Sequence, residues 1–137
     1  MEAETVCLFA PPGPLHCRIL LVEDDRDHQP LLSLMLQKAG AEVTVAENGK
    51  VAVDLARDAR DAGIPFDIIV MDLQMPVLDG LAATRELRIE GFTNPIIALT
   101  ARAASTDRER CFAAGCDDFL SKPIARADLV RLLAAHL

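Results

Sequence analysis

Phe66-Asp67-Ile68-Ile69-Val70-Met71-Asp72 is an apolar run that ends abruptly in a carboxylate. Arg18-Ile19-Leu20-Leu21-Val22 ends the same way, in Glu23-Asp24-Asp25. Short runs without polar alternation suit strands of a parallel sheet covered on both faces. Three more candidate strands follow: Glu42 to Ala46, short and alternating, Pro95-Ile96-Ile97-Ala98-Leu99 with Thr100 at its carboxyl end, and the brief Asp118-Phe119-Leu120-Ser121 ahead of Lys122-Pro123. Helix-period segments lie between them. Leu31, Leu32, Met35, Leu36 and Ala39 recur at helical spacing, with Pro30 near the start and Gly40 as the stop. Asn48 can cap a second helix with Val51, Ala52, Leu55 and Ala59 inward and Gly63 at its end. A third follows Asp79-Gly80, carries Leu81, Thr84, Leu87 and Arg88, and stops by Gly91. Thr106-Asp107-Arg108-Glu109 has capping-box spacing for a fourth, which can begin a few residues earlier and runs to Gly115. Leu129, Leu132 and Leu133 mark a closing helix. The expected fold is α/β: five parallel strands, five helices, doubly wound by right-handed crossovers.

Composition narrows the function. Fourteen basic against 21 acidic residues leave a net charge of -7, which opposes binding to nucleic acid or anionic lipid. Hydrophobic residues reach 51%, enough for a large core, but aromatics are only 4%, with no Trp or Tyr. The core must be built from Leu, Ile, Val and Ala, and base-stacking platforms lack material. Cysteines at 7, 17, 111 and 116 show no metal or redox spacing and read as small buried hydrophobes in a reducing cytosol. No apolar run approaches the ~18 residues of a membrane span, and Glu2 and Glu4 make a poor signal peptide. The chain reads as cytoplasmic, any parent kinase being free to carry a membrane anchor. Residues 1–16 stand apart as a linker or tail, because Ala10-Pro11-Pro12-Gly13-Pro14 favours an extended chain. Residues 17–137 form the domain.

In a doubly wound sheet, functional groups gather at the carboxyl ends of the strands. Those ends carry Glu23, Asp24 and Asp25, then Asp72, Thr100 and Lys122. Two carboxylates about 4 Å apart repel by ~4 kcal/mol at an effective dielectric near 20. A hard divalent cation relieves that repulsion, and Mg²⁺ suits one or two carboxylates plus water and a phosphoryl oxygen. A carboxylate nucleophile, metal, ammonium and hydroxyl together describe phosphoryl transfer onto Asp72. Acidic residues after a single strand are ordinary loop residues. Four strands ending in complementary polar groups are not explained by solvation.

Leu21 to Asp25, Asp67 to Gly80, Ala98-Leu99-Thr100-Ala101 and Gly115 to Pro123 together resemble the receiver domain of two-component response regulators, in family order and spacing over about residues 17 to 137. The resemblance implies strand order 2-1-3-4-5, as in flavodoxin-like folds, and roles residue by residue. Asp72 matches the phosphoacceptor, charged from a phosphohistidine. Asp24 matches the direct Mg²⁺ ligand, Glu23 the neighbouring acid acting through water, and Gln74 the residue whose backbone carbonyl binds the metal; Mn²⁺ is a possible substitute. Glu23 is Asp in many relatives, and its longer stem can shift the water contact. Lys122 matches the lysine that pairs with acid in the empty site and with phosphoryl oxygen in the filled one, and Pro123 follows a cis peptide. Thr100 and Phe119 match the switch pair that reshapes the face of helix four, strand five and helix five. The backbone N–H of Ala101 reaches the phosphoryl group. Gln74 and Arg102 occupy positions that tune acyl-phosphate lifetime.

Two other functions use related parts. A haloacid-dehalogenase-like phosphatase needs a second acid two residues after its nucleophile, and Gln74 stands there. A flavodoxin-like carrier needs aromatic walls that this composition lacks. A degenerate receiver used only for docking is opposed by the intact site set. Asp25 reads as a loop acid, and His16, His28 and His136 are not placed as phosphodonors, although His28 lies near the site. Met71 and Met75 read as packing residues. Turnover of small phosphate esters is not expected. The expected partners are a histidine kinase, a histidine phosphotransfer domain or both, with the chain a monomer or weak homodimer. The Pro-rich start favours a receiver cut from a hybrid sensor histidine kinase over a free-standing regulator.

Overall fold

A computed structural model describes residues 15–73, 79–100 and 105–137, the last without the side chains of 105–107. Five strands alternate with five helices: β1 (Arg18–Val22), α1 (His28–Lys38), β2 (Glu42–Ala46), α2 (Gly49–Asp61), β3 (Ile68–Asp72), α3 (Gly80–Ile89), β4 (Ile96–Thr100), α4 (Ser105–Ala114), β5 (Asp118–Ser121) and α5 (Arg126–Ala135). All strand pairs are parallel, in order 2-1-3-4-5. The order reverses between β1 and β3, where ligands sit in such sheets.

Period-two alternation divides the core into two layers. Leu20 and Val22, Ile69 and Met71, and Ile96 and Ala98 pack on one face with Ala52, Val53 and Ala56 of α2, Leu81, Ala83 and Leu87 of α3, and Cys111 and Ala114 of α4. Ile19 and Leu21, Ile68 and Val70, and Ile97 and Leu99 pack on the other with Leu32 and Leu36 of α1 and Leu129 and Leu133 of α5. Leu15 joins this second layer, fully buried, and its N–H donates to the Ala39 carbonyl. The packed unit therefore reaches two residues ahead of Cys17.

Local chemistry fixes the ends of the elements. Asn48 Oδ1 accepts from the Val51 N–H at 2.9 Å and Asp79 Oδ1 from the Ala82 N–H at 2.8 Å, capping α2 and α3. Gly40, at φ 104, supplies the left-handed turn after α1. β3 begins at Ile68 rather than Phe66, because the Asp67 carboxylate already takes the Arg18 N–H and the Asp67 N–H is given to the Arg18 carbonyl. Thr106 to Glu109 lie inside α4, so their box spacing does not mark its start. Cys17, Cys111 and Cys116 form no disulfide, and burial pushes the thiol of Cys116 up to about 12, far from a reactive thiolate. No described helix is long and apolar enough to cross a membrane.

Candidate acidic site

Strand register builds the site. Val22 lies opposite Met71, so the next residues along, Glu23 and Asp72, meet across β1 and β3. Both continue the face of Leu21 and Val70, and both are buried, Glu23 to 0% and Asp72 to 2% exposure. Asp24 completes the group: one carboxylate oxygen from each of Glu23, Asp24 and Asp72 lies within 4.8 Å of the others. α3 closes in from below. A Cβ on Gly80 would collide with the Asp72 carbonyl oxygen and sit 2.6 Å from Leu73 Cα, so only glycine lets the helix start this close to the end of β3.

Lys122 supplies the facing cation, with Nζ 3.3 Å from Asp72 Oδ2 and 3.5 Å from Glu23 Oε1. Its N–H donates to the Thr100 carbonyl at 2.7 Å, anchoring the β5 exit to the end of β4, and the Lys122–Pro123 peptide is cis. Glu23 Oε2 accepts the Asp25 N–H at 3.2 Å, but ionised Glu23 Oε1 finds no hydrogen-bond donor. Burial first, then the hydrogen bond and charge of Asp72, push the Glu23 carboxyl up to about 7, against the pull of the Asp25 N–H and Lys122. A buried carboxylate oxygen that receives no hydrogen bond, beside two more carboxylates, is the donor set of a hard divalent cation, so these residues fit Mg²⁺.

The loop after β1 is tied down. Asp25 Oδ1 accepts the Asp27 N–H at 2.8 Å, the chief reason its carboxyl is held below the usual carboxylate range. The Asp25 carbonyl receives the N–H groups of His28 and Gln29, and His28 Nδ1 lies 3.4 Å from Asp25 Oδ2. Sequence reading missed Gln29, whose Nε2 donates to the Glu23 carbonyl at 2.6 Å; a polar residue in the first turn after the acidic cluster was the available signal. Arg88, read from sequence only as a residue of the third helix, has a role that the sequence reading also missed. Its guanidinium reaches the carbonyls of Gly115, Phe92 and Asn94 and the Asp117 carboxylate, joining α3 to the segments on both sides of β4.

Thr100 ends β4 at 5% exposure, and Phe119, half-buried, pairs in register with Ala98. Gln74, Met75, Ala101 and Arg102 fall outside the described residues. Beside the acids, an apolar groove of about 440 Å³ opens between α1 and the β5–α5 connection, lined by His28, Leu31, Leu32, Met35, Lys122, Pro123 and Ile124.

A doubly wound domain thus carries an acidic cluster at its switch point with a lysine across from it. The response regulator receiver domain family model matches residues 19–134, and the chain belongs to that family. Hybrid signal transduction histidine kinase I of Dictyostelium discoideum is 41% identical over 111 residues, 78% of this chain but only 6% of the kinase. This chain therefore corresponds to a small part of that relative. The crystal structure of the receiver domain of sensor histidine kinase PA1611 from Pseudomonas aeruginosa, with magnesium in its active site cleft, is 44% identical, with TM-score 0.78 over 89% of this chain and 98% of that one. The receiver domain of Saccharomyces cerevisiae Ssk1, co-crystallised with the histidine phosphotransfer protein Ypd1, is 28% identical, with TM-score 0.80 over 91% and 89%.

Proposed function

We propose that this domain is a cytoplasmic receiver of a phosphorelay that accepts a phosphoryl group on Asp72. The observation that carries this reading is the buried Asp72 carboxylate, clustered with Glu23 and Asp24 and held 3.3 Å from Lys122 Nζ. Asp24, Asp72, the Gln74 carbonyl and, through water, Glu23 would hold Mg²⁺, or Mn²⁺ in its place. The bound ion supplies charge neutralisation for the incoming phosphoryl oxygens. The Asp72 oxygen attacks phosphorus, the phosphorus–nitrogen bond of the donor phosphohistidine breaks, and its electron pair and a proton stay with the imidazole. Lys122, the Thr100 hydroxyl and the Ala101 N–H then take the phosphoryl oxygens, while Gln74 and Arg102 tune the lifetime of the acyl phosphate. Thr100 and Phe119 carry the change to α4, β5 and α5. The domain is a stoichiometric acceptor, not a catalyst that turns over small phosphate esters.

The groove beside Lys122 suits the donor. An amphipathic helix bearing phosphohistidine can lay its apolar side on Leu31, Met35 and Ile124 and bring the imidazole to the rim where Asp72 lies. The structures of the magnesium-bearing and Ypd1-bound receivers support both assignments by similarity. The test is transfer from a radiolabelled histidine phosphotransfer protein in Mg²⁺. Label should pass to this chain and fail to pass to folded Asp72→Asn; transfer to that variant overturns the assignment.

A further inference from the structure

Phe119 shares a sheet face with Ala98, its register partner, and with Thr100 two residues further along β4. Ala98 presents only a methyl group, so the ring packs on the core layer over a small residue. α4 holds it from outside. The Arg108 guanidinium carbon lies 5.2 Å from the Phe119 ring centroid, and the Phe112 ring meets Phe119 edge-on at 6.4 Å and 84°. Arg108 and Phe112 are four residues apart, on one side of α4. Arg108 lies over the negative face of the ring, and Phe112 packs against it in a T-shaped pair. Arg108 is exposed and Phe112 is 44% exposed, so neither is needed to fill the core.

We propose that Arg108 is a positioning residue that holds the Phe119 ring against α4 and thereby opposes the switch. This rests on the reading of Thr100 and Phe119 as the switch pair. An inward ring leaves the guanidinium behind, so phosphorylation must overcome that contact before the α4–β5 surface changes. Removing the contact shifts the resting population toward the inward ring and raises apparent affinity for anything that requires it.

The test follows the aromatic signals of phenylalanine-labelled protein by NMR during a beryllofluoride titration at saturating Mg²⁺. In the unsubstituted chain the Phe119 signals move on saturation. In Arg108→Ala they start displaced toward the saturated position, half-saturation comes at roughly two- to five-fold lower beryllofluoride, and Mg²⁺ affinity is unchanged. Arg108→Lys, which keeps the cation but not the planar stack, falls between. If the Phe119 signals move in the unsubstituted chain while both variants titrate identically to it, the clamp is refuted and the switch reading stands. If those signals do not move at all, the switch reading fails and takes the clamp with it.

Discussion

Replacing Glu23 by glutamine in metal-free buffer should make the protein more stable at pH 8, despite altering a site residue. The Glu23 carboxyl rises from an ordinary 4.5 to about 7 because it is buried beside Asp72. A raised value in the folded state means that the native protein binds the proton more tightly than the unfolded chain. The associated stability is complete below about pH 4.5 and is lost as pH climbs through 7. At about 1.4 kcal/mol per pH unit, the loss between pH 4.5 and 8 is roughly 3 kcal/mol. Asp25 and Glu90, held below their ordinary values, act in the opposite sense only at more acidic pH, so between 5 and 7.5 the part of the slope that Glu23→Gln removes reports Glu23. Urea unfolding in EDTA at stepped pH measures the slope. Glu23→Gln should flatten it and, allowing for the cost of a buried amide, gain about 1–3 kcal/mol at pH 8. Saturating Mg²⁺ should restore stability to the unsubstituted protein most at high pH, where the carboxylates are ionised. Stability that is level or rising from pH 5 to 7.5 in EDTA, or a variant that keeps the slope, would refute the reasoning.

Gly80→Ala should push α3 away from the Asp72 carbonyl, costing about 2 kcal/mol or more in urea unfolding and slowing acetyl-phosphate labelling. Arg88→Ala should cost about 2–4 kcal/mol, since it strips donors from the carbonyls of Gly115, Phe92 and Asn94, while labelling of the folded fraction persists. Leu31→Glu, at a 53% exposed position on the groove, should slow transfer from a phosphohistidine protein at least ten-fold and leave acetyl-phosphate labelling within two-fold. Equal effects on both donors would remove the groove from the docking surface. Asp24→Ala should abolish Mg²⁺ binding in calorimetry, yet cost less stability than a core truncation in EDTA, because it also relieves repulsion with Glu23 and Asp72.

The architecture could be read from sequence because β1, β3 and β4 are buried on both faces, where Ile19 to Val22, Ile68 to Met71 and Ile96 to Leu99 leave no other solution. The acids were equally readable, since strand ends in this topology must converge. Other features depend on contacts that span the sequence. Nothing local marks Arg88 as the tie between Gly115, Phe92 and Asn94, because an arginine beside Leu87 reads as the rim of an amphipathic helix. The Phe119 clamp needs the packing of α4 on β5, and Leu15 looked like the end of a Pro-rich tail until α1 and β2 enclosed it. The rise of the Glu23 carboxyl follows from complete burial, which a loop residue after a strand does not announce.

The most direct measurement locates the phosphoryl group chemically. After incubation with acetyl phosphate and Mg²⁺, borohydride reduction converts an aspartyl phosphate to homoserine, and tryptic cleavage releases the peptide from Asp61 to Arg85. Fragmentation should place homoserine at Asp72, with none formed in EDTA. Homoserine at Asp24 or Asp67, or a phosphate that survives base on a hydroxyl residue, would contradict phosphoryl acceptance by Asp72.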